Sequence, residues 1–355
     1  MGEKVPAAVL GGTGYVSGEV LRLLAAHPRL AVVSAVSTSQ VGEKVTAAFP
    51  HLSGTVLDSA VFESPEALAA RFEKGQPFAL FAATPHGATA ALLDTLLSAA
   101  ERAGADAHAV DLSADFRFSE AARYEEIYGK PHGAPKRLAS FRCSVPEHHR
   151  GPLPAHAAQP GCFTTAVTLA AYPFLALGLT EGPVFASAIT GSSGSGRKPG
   201  EGTHHPSRHS ALYAYSPLAH RHEPEMRFLL GAARGGVEPD VEFVPHSGPF
   251  VRGIHATLRM SLKSPASAAE LVARVNGFYA QGPFVHASEE LPTLTEVVGT
   301  NRCRLGIVTR GRTLVVSSVI DNLVKGATGG GVQWMNRLLG FAEDDGLRAG
   351  GLGWY

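Results

Sequence analysis

One cysteine lies where a thiol can become nucleophilic. Cys162 follows Pro160 and Gly161, and an apolar run begins at Phe163, so the sequence predicts a turn that leads into a helix at this cysteine. The free amide groups and the dipole of a helix N-terminus favour an anion, so the pKa of a thiol placed there should fall. Because thiolate is the nucleophilic form, Cys162 is a candidate for covalent catalysis. The alternative is a small buried apolar cysteine.

A dense histidine segment is the second candidate for chemistry. It reads His220-Arg221-His222-Glu223-Pro224-Glu225, and a histidine near a nucleophile can act as general acid or base. The two histidines are only two residues apart and no third ligand has an evident spacing, so we expect no metal site. A surface histidine pair is the alternative.

A loop rich in glycine and serine follows a predicted strand over 184–189. It spans 190–200 and is basic near its end, at Arg197 and Lys198. Its backbone amides and hydroxyls could cradle a phosphate, with Arg197 adding charge. A flexible linker is the alternative, but the preceding apolar strand favours a loop of the active site.

The N-terminal segment has the order strand, glycine turn, helix. An apolar strand over 5–10 precedes the turn Gly11-Gly12-Thr13-Gly14-Tyr15, and apolar residues recur at helical spacing over 19–26. Glycines in this context let the backbone approach a pyrophosphate, which then lies on the helix N-terminus. The segment therefore predicts a dinucleotide site.

The second strand, 30–36, indicates which dinucleotide. It ends in Ser37-Thr38-Ser39-Gln40, without the Asp or Glu that holds the ribose hydroxyls in NAD-binding proteins. The small hydroxyl residues Ser37 and Ser39 suit a 2′-phosphate better than a carboxylate would, so NADP is favoured over NAD. A polar turn without a ligand is the alternative.

Strand and helix patterns then alternate over 64–73 (helix), 78–82 (strand), 88–102 (helix) and 107–112 (strand). This order predicts a parallel, doubly wound sheet, in which ligands lie beyond the carboxyl ends of the strands. The motifs Pro85-His86-Gly87 and Asp115-Phe116-Arg117 follow two such strands. Arg117 could clamp a phosphate or a carboxylate; a salt bridge with Asp115 or Glu120 is the alternative.

The C-terminal half indicates a second domain. Predicted strands cover 241–244, 250–260, 304–308 and 313–320, with a helix over 266–279, which favours an α+β domain with an antiparallel-leaning sheet. A glycine-rich turn then leads into a helix over 332–339, which we expect to pack on the first domain. The predicted domains are 1–160 with 327–355, and 161–326.

The composition is that of an ordinary globular protein. Of 355 residues, 45% are hydrophobic and 17% charged, and Lys+Arg and Asp+Glu both number 31. We therefore expect neither nucleic acid nor a membrane as partner. With 3 cysteines and no signal-peptide layout, we expect a cytoplasmic protein without a disulfide framework.

A series of motifs along nearly the whole chain resembles the N-acetyl-γ-glutamyl-phosphate reductase family. The series comprises the turn 11–18, Pro85-His86-Gly87, Asp115-Phe116-Arg117, Pro160-Gly161-Cys162-Phe163, the loop 191–197, His220-Arg221-His222 with Pro224-Glu225, Arg252-Gly253-Ile254 and Asp321-Asn322-Leu323-Val324-Lys325-Gly326. The resemblance implies an NADPH-dependent reductase of arginine biosynthesis, related to aspartate-semialdehyde dehydrogenase. It implies a Rossmann-like cofactor domain, an α+β catalytic domain and a homodimer or homotetramer.

The resemblance also implies roles for single residues. Cys162 matches the nucleophile, which forms a thioester that accepts hydride, and His220 matches the acid/base that protonates the oxyanion. The predicted cofactor-binding residues are Gly11, Thr13, Gly14, Tyr15, Ser37, Ser39, Pro85, Gly194 and Asn322, the last near the nicotinamide. Arg117, Arg197 and Arg252 are the predicted substrate-binding residues, Arg252 for a carboxylate.

Some residues depart from the family pattern. Ser17 stands at the last glycine of the turn, Glu223 stands where Thr is frequent, and His204-His205-Pro206 is less usual. The last motif resembles a sister family of lysine biosynthesis, which acts on acyl phosphates carried by a small acidic protein. Phe163 and Arg197 favour the acetylated-glutamate branch. A non-catalytic NADP-binding sensor is the alternative from another class.

Overall fold

The computed structural model describes residues 3–353, and the chain forms two compact units. The first unit runs to Pro146 and adds Arg150–Gln159 and Thr328–Arg348. The second unit comprises Glu147–His149, Pro160–Ala327 and residues 349–353. Within residues 3–353, no helix combines the length and the apolar character that a membrane span requires.

The first unit is built on a parallel sheet. Its strands are β1 (Val5–Leu10), β2 (Leu30–Val36), β3 (Phe62–Glu63), β4 (Pro77–Ala82), β5 (Asp106–Asp111), β6 (Phe141–Cys143) and β7 (His156–Ala158), and its helices before the second unit are α1 (Tyr15–Ala25), α2 (Val45–Ala48), α3 (Pro65–Ala69), α4 (Thr89–Ala103) and α5 (Ala121–Tyr128). The strand order is β3-β2-β1-β4-β5-β7-β6, and every neighbouring pair is parallel. The strand order reverses at β1: β2 and β3 are added on one side of it, and β4 and β5 on the other. Doubly wound sheets bind ligands at such a point.

The second unit contains a mixed sheet and one central helix. Its elements are α6 (Cys162–Ala176), β8 (Thr180–Thr190), α7 (His205–Arg208), β9 (Tyr213–Ala214), α8 (Glu223–Gly231), β10 (Val241–Ser247), β11 (Ile254–Leu262), α9 (Ala268–Phe278), β12 (Val285–Ser288), β13 (Cys303–Arg310) and β14 (Thr313–Ile320). The strand order is β12-β13-β14-β11-β8-β10-β9, with parallel pairs only at β12–β13 and β8–β10. The apolar helix α6 packs against β8, β11 and β14.

The last helix, α10 (Gly329–Leu338), belongs to the first unit and packs against β5 and β7. It begins at Gly329, before the predicted start at residue 332. The glycines predicted to form a turn are part of the helix, because their small size allows close packing. A Cβ on Gly330 would lie 2.5 Å from the side-chain oxygen of Gln159, and one on Gly331 would lie 2.5 Å from Leu112. The pattern Gly329-Gly330-Gly331 is therefore helical, although isolated glycines disfavour helices.

Two other predicted boundaries were wrong. The helix predicted over 64–73 is shorter: Ser64 caps it by accepting a 3.2 Å hydrogen bond from the Ala67 N–H, and it ends at Ala69. The strand predicted from 250 begins at Ile254, because the chain first turns at Gly253 with φ +114°. A backbone in that region favours glycine and interrupts a strand.

Candidate active site

Cys162 is the first residue of α6, as predicted. Gly161 caps the helix with an extended backbone (φ −58°, ψ 152°), and the helix continues to Ala176. Nearly all its side chains are buried, whereas Cys162 is only partly so. The thiol therefore meets the free amide groups of a helix N-terminus while it keeps access to solvent.

Cys162 and His220 line one cleft of about 600 Å³ in the second unit. The other lining residues come from the helix start, the glycine-serine loop, the edge strand β9 and the histidine segment. They are Phe163, Thr190, Gly194, Ser195, Tyr213, Tyr215, Ser216, Ala219, Arg221, His222 and Ser247. The cleft thus brings together three of the predicted site residues, Cys162, His220 and Gly194.

His220 is held as a neutral imidazole. Burial, and next the charge of Arg221, lower the pKa of His220 to about 4. The backbone N–H of His222 donates a 3.1 Å hydrogen bond to His220 Nδ1, so the ring proton of the neutral form is on Nε2. His220 is therefore a hydrogen-bond donor at neutral pH. Its ring lies edge-on to Phe163, with centroids 5.6 Å apart.

The turn before Cys162 is tied to the histidine segment. The buried carboxylate of Glu225 accepts a 2.7 Å hydrogen bond from the Gly161 N–H. A Cβ on Gly161 would lie 2.5 Å from His222 Nε2, so only glycine lets this imidazole pack on the turn. His222 is thus a packing residue at the start of α8, buried against the backbone that carries the thiol.

Tyr215 adds a hydroxyl to the cleft. Burial, and next the proximity of Cys162, raise the pKa of the Tyr215 phenol, so it stays protonated at neutral pH. Its ring lies 5.6 Å from that of His220, edge to face. Tyr215 can therefore donate a hydrogen bond inside the cleft.

The glycine-serine loop is anchored by buried hydrogen bonds. The Asn322 amide donates to Ser193 Oγ over 3.0 Å and accepts from the Gly253 N–H over 2.7 Å. The Ser193 hydroxyl donates to the Val251 carbonyl over 2.6 Å. Asn322 thus stabilises the loop that carries Gly194. Its predicted contact with a nicotinamide stays a prediction.

The two predicted substrate arginines of this unit do not line the cleft in the described part of the chain. Arg252 binds the buried Asp321 through two hydrogen bonds, Nε to Oδ2 over 3.0 Å and Nη2 to Oδ1 over 3.3 Å. Arg197 is exposed at the end of the glycine-serine loop. Their contacts with substrate stay predictions.

A buried ion pair lies near the helix start. The Lys325 ammonium binds the Glu147 carboxylate, and both side chains are almost fully buried. Lys325 belongs to a single π-helical turn, Val324–Thr328, and the next residue touches the nucleophile. A Cβ on Gly326 would lie 2.8 Å from Cys162 Cβ, so this turn and the helix start are in direct contact.

In the first unit, the glycine turn lies at the switch point of the sheet. Gly11 has φ +147°, and a Cβ there would lie 2.6 Å from the Ala83 carbonyl group at the end of β4. Gly14 caps α1 and faces open space, Tyr15 is 41% exposed, and the first turn of α1 has no acidic residue. Thr13 lies in the same turn. These features fit a bound pyrophosphate.

The other predicted residues of the first unit lie at ends of strands. Ser37 is buried beside Gly12, whereas Ser39 and Pro85 are exposed. Arg117 is buried in the loop after β5. The nearby Asp115 carboxylate accepts hydrogen bonds from the N–H groups of Gly87 and Ala90 over 2.7 and 2.9 Å, and so holds the predicted Pro85-His86-Gly87 turn.

Sequence reasoning missed several residues of the cleft. Glu225 was noted only as part of a motif, while Tyr213, Tyr215 and Ser247 were not singled out. Alternating tyrosines before the histidine segment were the available signal, since a short strand directs Tyr213 and Tyr215 to one side. Within residues 3–353, no group of three or more His, Cys, Asp and Glu side chains is arranged to hold a metal ion.

Comparison with known proteins covers both units. The model of the semialdehyde dehydrogenase NAD-binding domain matches residues 6–148, and that of the semialdehyde dehydrogenase dimerisation domain matches residues 162–322. Solved structures share the fold at low identity. Aspartate semialdehyde dehydrogenase II from Vibrio cholerae has a TM-score of 0.66 at 15% identity, covering 95% of this chain and 98% of that one. The enzyme with NADP from Candida albicans has 0.64 at 15%, covering 96% and 99%.

Curated relatives are much more similar in sequence. The N-acetyl-gamma-glutamyl-phosphate reductase of Nitrosococcus oceani is 40% identical over 352 residues, which cover 97% of this chain and 98% of the relative. That of Symbiobacterium thermophilum is 39% identical over 352 residues, covering 97% of both. The predicted family and the α/β fold are confirmed. The chain belongs to the N-acetyl-gamma-glutamyl-phosphate reductase family of the semialdehyde dehydrogenases.

Proposed function

We propose that this protein reduces N-acetyl-γ-glutamyl phosphate to N-acetylglutamate semialdehyde with NADPH, through a thioester on Cys162. The observation that carries the proposal is the thiol at the N-terminus of α6 in one cleft with a neutral His220. The similarity to reductases of that name over 97% of the chain supports the substrate.

The first half of the reaction is acyl transfer. The helix N-terminus favours the thiolate of Cys162, which attacks the acyl carbon of the substrate. The bond between this carbon and the phosphate oxygen breaks, and the phosphate leaves with its electron pair and takes a proton from solvent. The product is an acyl thioester on Cys162.

His220 supports both halves of the reaction as a hydrogen-bond donor. Its Nε2–H can donate to the acyl oxygen as negative charge develops there, the role of an oxyanion hole. Because its pKa is near 4, His220 needs no proton uptake before turnover. The expected role of His220 was to protonate the oxyanion as an acid/base. The proposed role is to donate a hydrogen bond from the neutral imidazole.

When bound, the nicotinamide supplies hydride to the thioester carbon. The acyl oxygen then carries a negative charge, which His220 Nε2–H can stabilise. When this oxyanion collapses, the bond between carbon and sulfur breaks, the aldehyde is released and Cys162 departs as thiolate. Exclusion of water protects the thioester meanwhile.

The first unit is the proposed cofactor domain. Gly11, Thr13, Gly14 and Tyr15 would hold the pyrophosphate at the N-terminus of α1, and Pro85 would border it. Ser37 and Ser39 would take the 2′-phosphate of NADP, since the end of β2 offers no carboxylate. From the second unit, Gly194 and Asn322 would support the nicotinamide.

The second unit is the proposed catalytic and oligomerisation domain, in a homodimer or homotetramer. Its similarity to a dimerisation domain and the partly exposed apolar residues Phe185 and Val308 on its sheet support an oligomer. Arg117 and Arg197 would bind the phosphate, whereas Arg252, whose guanidinium already binds Asp321, is not assigned to the substrate.

The function can be tested in the oxidative direction. We expect the wild type to reduce NADP when N-acetylglutamate semialdehyde and phosphate are both present, and Cys162→Ser to lose this activity while it still binds NADP. Retained activity in the variant would place the nucleophile elsewhere. Assays with the free acetylated substrate and with a carrier-linked one separate this function from that of the sister family.

A further inference from the structure

Arg208 is a buried arginine whose charge has no counterpart. It ends α7, and only 8% of it is exposed. Its Nε and Nη2 are buried without hydrogen-bond partners, and its remaining polar contact within residues 3–353 is a 3.5 Å hydrogen bond from Nη1 to the Ala211 carbonyl. No carboxylate of the described residues lies within ion-pair distance of it.

The guanidinium lies next to the wall of the cleft. Its Cζ is 5.9 Å from the centre of the Tyr213 ring. Tyr213 pairs with Ser247 across β9 and β10, and both residues line the cleft that contains Cys162 and His220. Tyr213 is 45% exposed and lies on an edge strand of two residues, so one partly exposed ring stands between the guanidinium and the cleft.

A buried guanidinium without a partner is costly, because its charge and its N–H groups have lost water. Two orphan donors on one planar fork match the two oxygens of a carboxylate or phosphate. Arg252 differs in this respect, since Asp321 already binds its fork. We therefore expect the Arg208 guanidinium to bind an anionic group of a ligand.

We propose that Arg208 binds the α-carboxylate of the acylglutamyl substrate; this rests on the proposed function. The phosphate is bonded to the carbon that Cys162 attacks, so it must lie at the reacting end of the substrate. The α-carboxylate lies at the other end of the acyl chain. Arg208 lies beside Tyr213, which lines the cleft, and the proposal requires this ring to move aside when the substrate binds.

The test compares Arg208→Met and Arg208→Lys with Arg234→Met, a change at an exposed arginine of the same unit. In the oxidative direction, Arg208→Met should raise KM for the semialdehyde about 10–100-fold, the loss expected for hydrogen bonds to a charged group. KM for phosphate should stay within about twofold, and the Lys variant should lie between. Arg234→Met should match the wild type.

A rise in KM for phosphate instead would make Arg208 a phosphate ligand and overturn the proposal, as would no change in either KM. A second readout needs no turnover. Glutarate, a dicarboxylate of the same chain length, should slow alkylation of Cys162 by iodoacetamide in the wild type and should not slow it in Arg208→Met. If Arg208→Met fails to fold, Arg208→Lys replaces it, and glutarate should protect that variant less than the wild type. Equal protection in both proteins would also overturn it. An inactive wild type that glutarate still protects would refute the proposed function alone.

Discussion

The Glu225 carboxylate accepts a 2.7 Å hydrogen bond from the backbone N–H of Gly161, the residue before the nucleophile. This bond joins the turn that carries Cys162 to the helix that follows His220. The relative position of thiol and imidazole therefore depends on a buried carboxylate.

Removal of this carboxylate should misplace the thiol. Glu225→Ala leaves a buried N–H without an acceptor, which should lower the free energy of unfolding by about 1–3 kcal/mol, and kcat should fall. Glu225→Gln keeps an acceptor oxygen and should retain most of both. Urea unfolding and steady-state kinetics measure the two effects, and equal losses in both variants would contradict the role of the hydrogen bond.

Gly161→Ala should damage activity through a clash. The new methyl group would lie 2.5 Å from His222 Nε2, so the turn or the imidazole must shift. We expect a loss of kcat and a lower Tm. Gly277→Ala is the matched control, because a Cβ at this position in α9 meets nothing within 4 Å. That change should leave kcat intact and stabilise the protein by about 0.5–1 kcal/mol.

His220 should act as a donor and not as a titrating acid. His220→Ala should lower kcat about 10²–10³-fold, as loss of an oxyanion donor does. His220→Asn and His220→Gln should recover part of the rate, since an amide also donates. An acid that transfers its own proton would show no such recovery. Because the pKa of His220 is near 4, the kcat profile of the wild type should show no ionisation of His220 between about pH 5 and 8.

His156 should make the first unit acid-sensitive. Burial, and next His108, lower its pKa from 6.5 to about 4, and its Nδ1 accepts a 3.3 Å hydrogen bond from the Ala109 N–H. A lowered folded-state pKa gives stability that is present above pH 6.5 and lost as the pH falls towards 4. The loss should be on the order of 3 kcal/mol at most.

Urea unfolding at several pH values checks this expectation with His156→Gln as control. The variant should lose less stability than the wild type between about pH 7 and pH 4. Parallel curves for the two proteins would show that His156 is not the sensitive group.

Removal of one partner of the Lys325–Glu147 ion pair should destabilise the protein strongly, whereas replacement of both partners by apolar residues should destabilise it little. Lys325→Met removes the ammonium that binds a buried carboxylate and should destabilise the protein by about 3–5 kcal/mol. A second change, Glu147→Leu, removes that charge and should restore most of the loss. A double variant as unstable as the single one would refute the coupling, which thermal unfolding of all three proteins measures.

Local patterns predicted much of this fold. Alternating apolar strands and helices specified the parallel sheet, and Pro160 and Gly161 before an apolar run specified the helix start at Cys162. These features depend on neighbours in sequence. The triple glycine of α10 misled the prediction, because its small size serves contacts with Gln159 and Leu112, which are distant in sequence.

The same limit applies to the candidate site. The sequence identified Cys162 and His220 by type and context, and both line the cleft. It did not reveal that Asp321 binds Arg252, that the amide of Asn322 holds the loop, or that Arg208 is buried. Each of these depends on which side chains the tertiary fold brings together. The spacing of residues in the sequence does not indicate these contacts.

Helix α10 has a consequence for synthesis of the protein. It covers β5 and β7 of the first unit, yet it is translated only after Pro160–Ala327. At about 5–20 residues per second, the ribosome needs roughly 10–30 s to make that insert. During this interval the nascent first sheet lacks a helix of its apolar cover. The packing of the first unit therefore cannot be completed until the second unit has been synthesised.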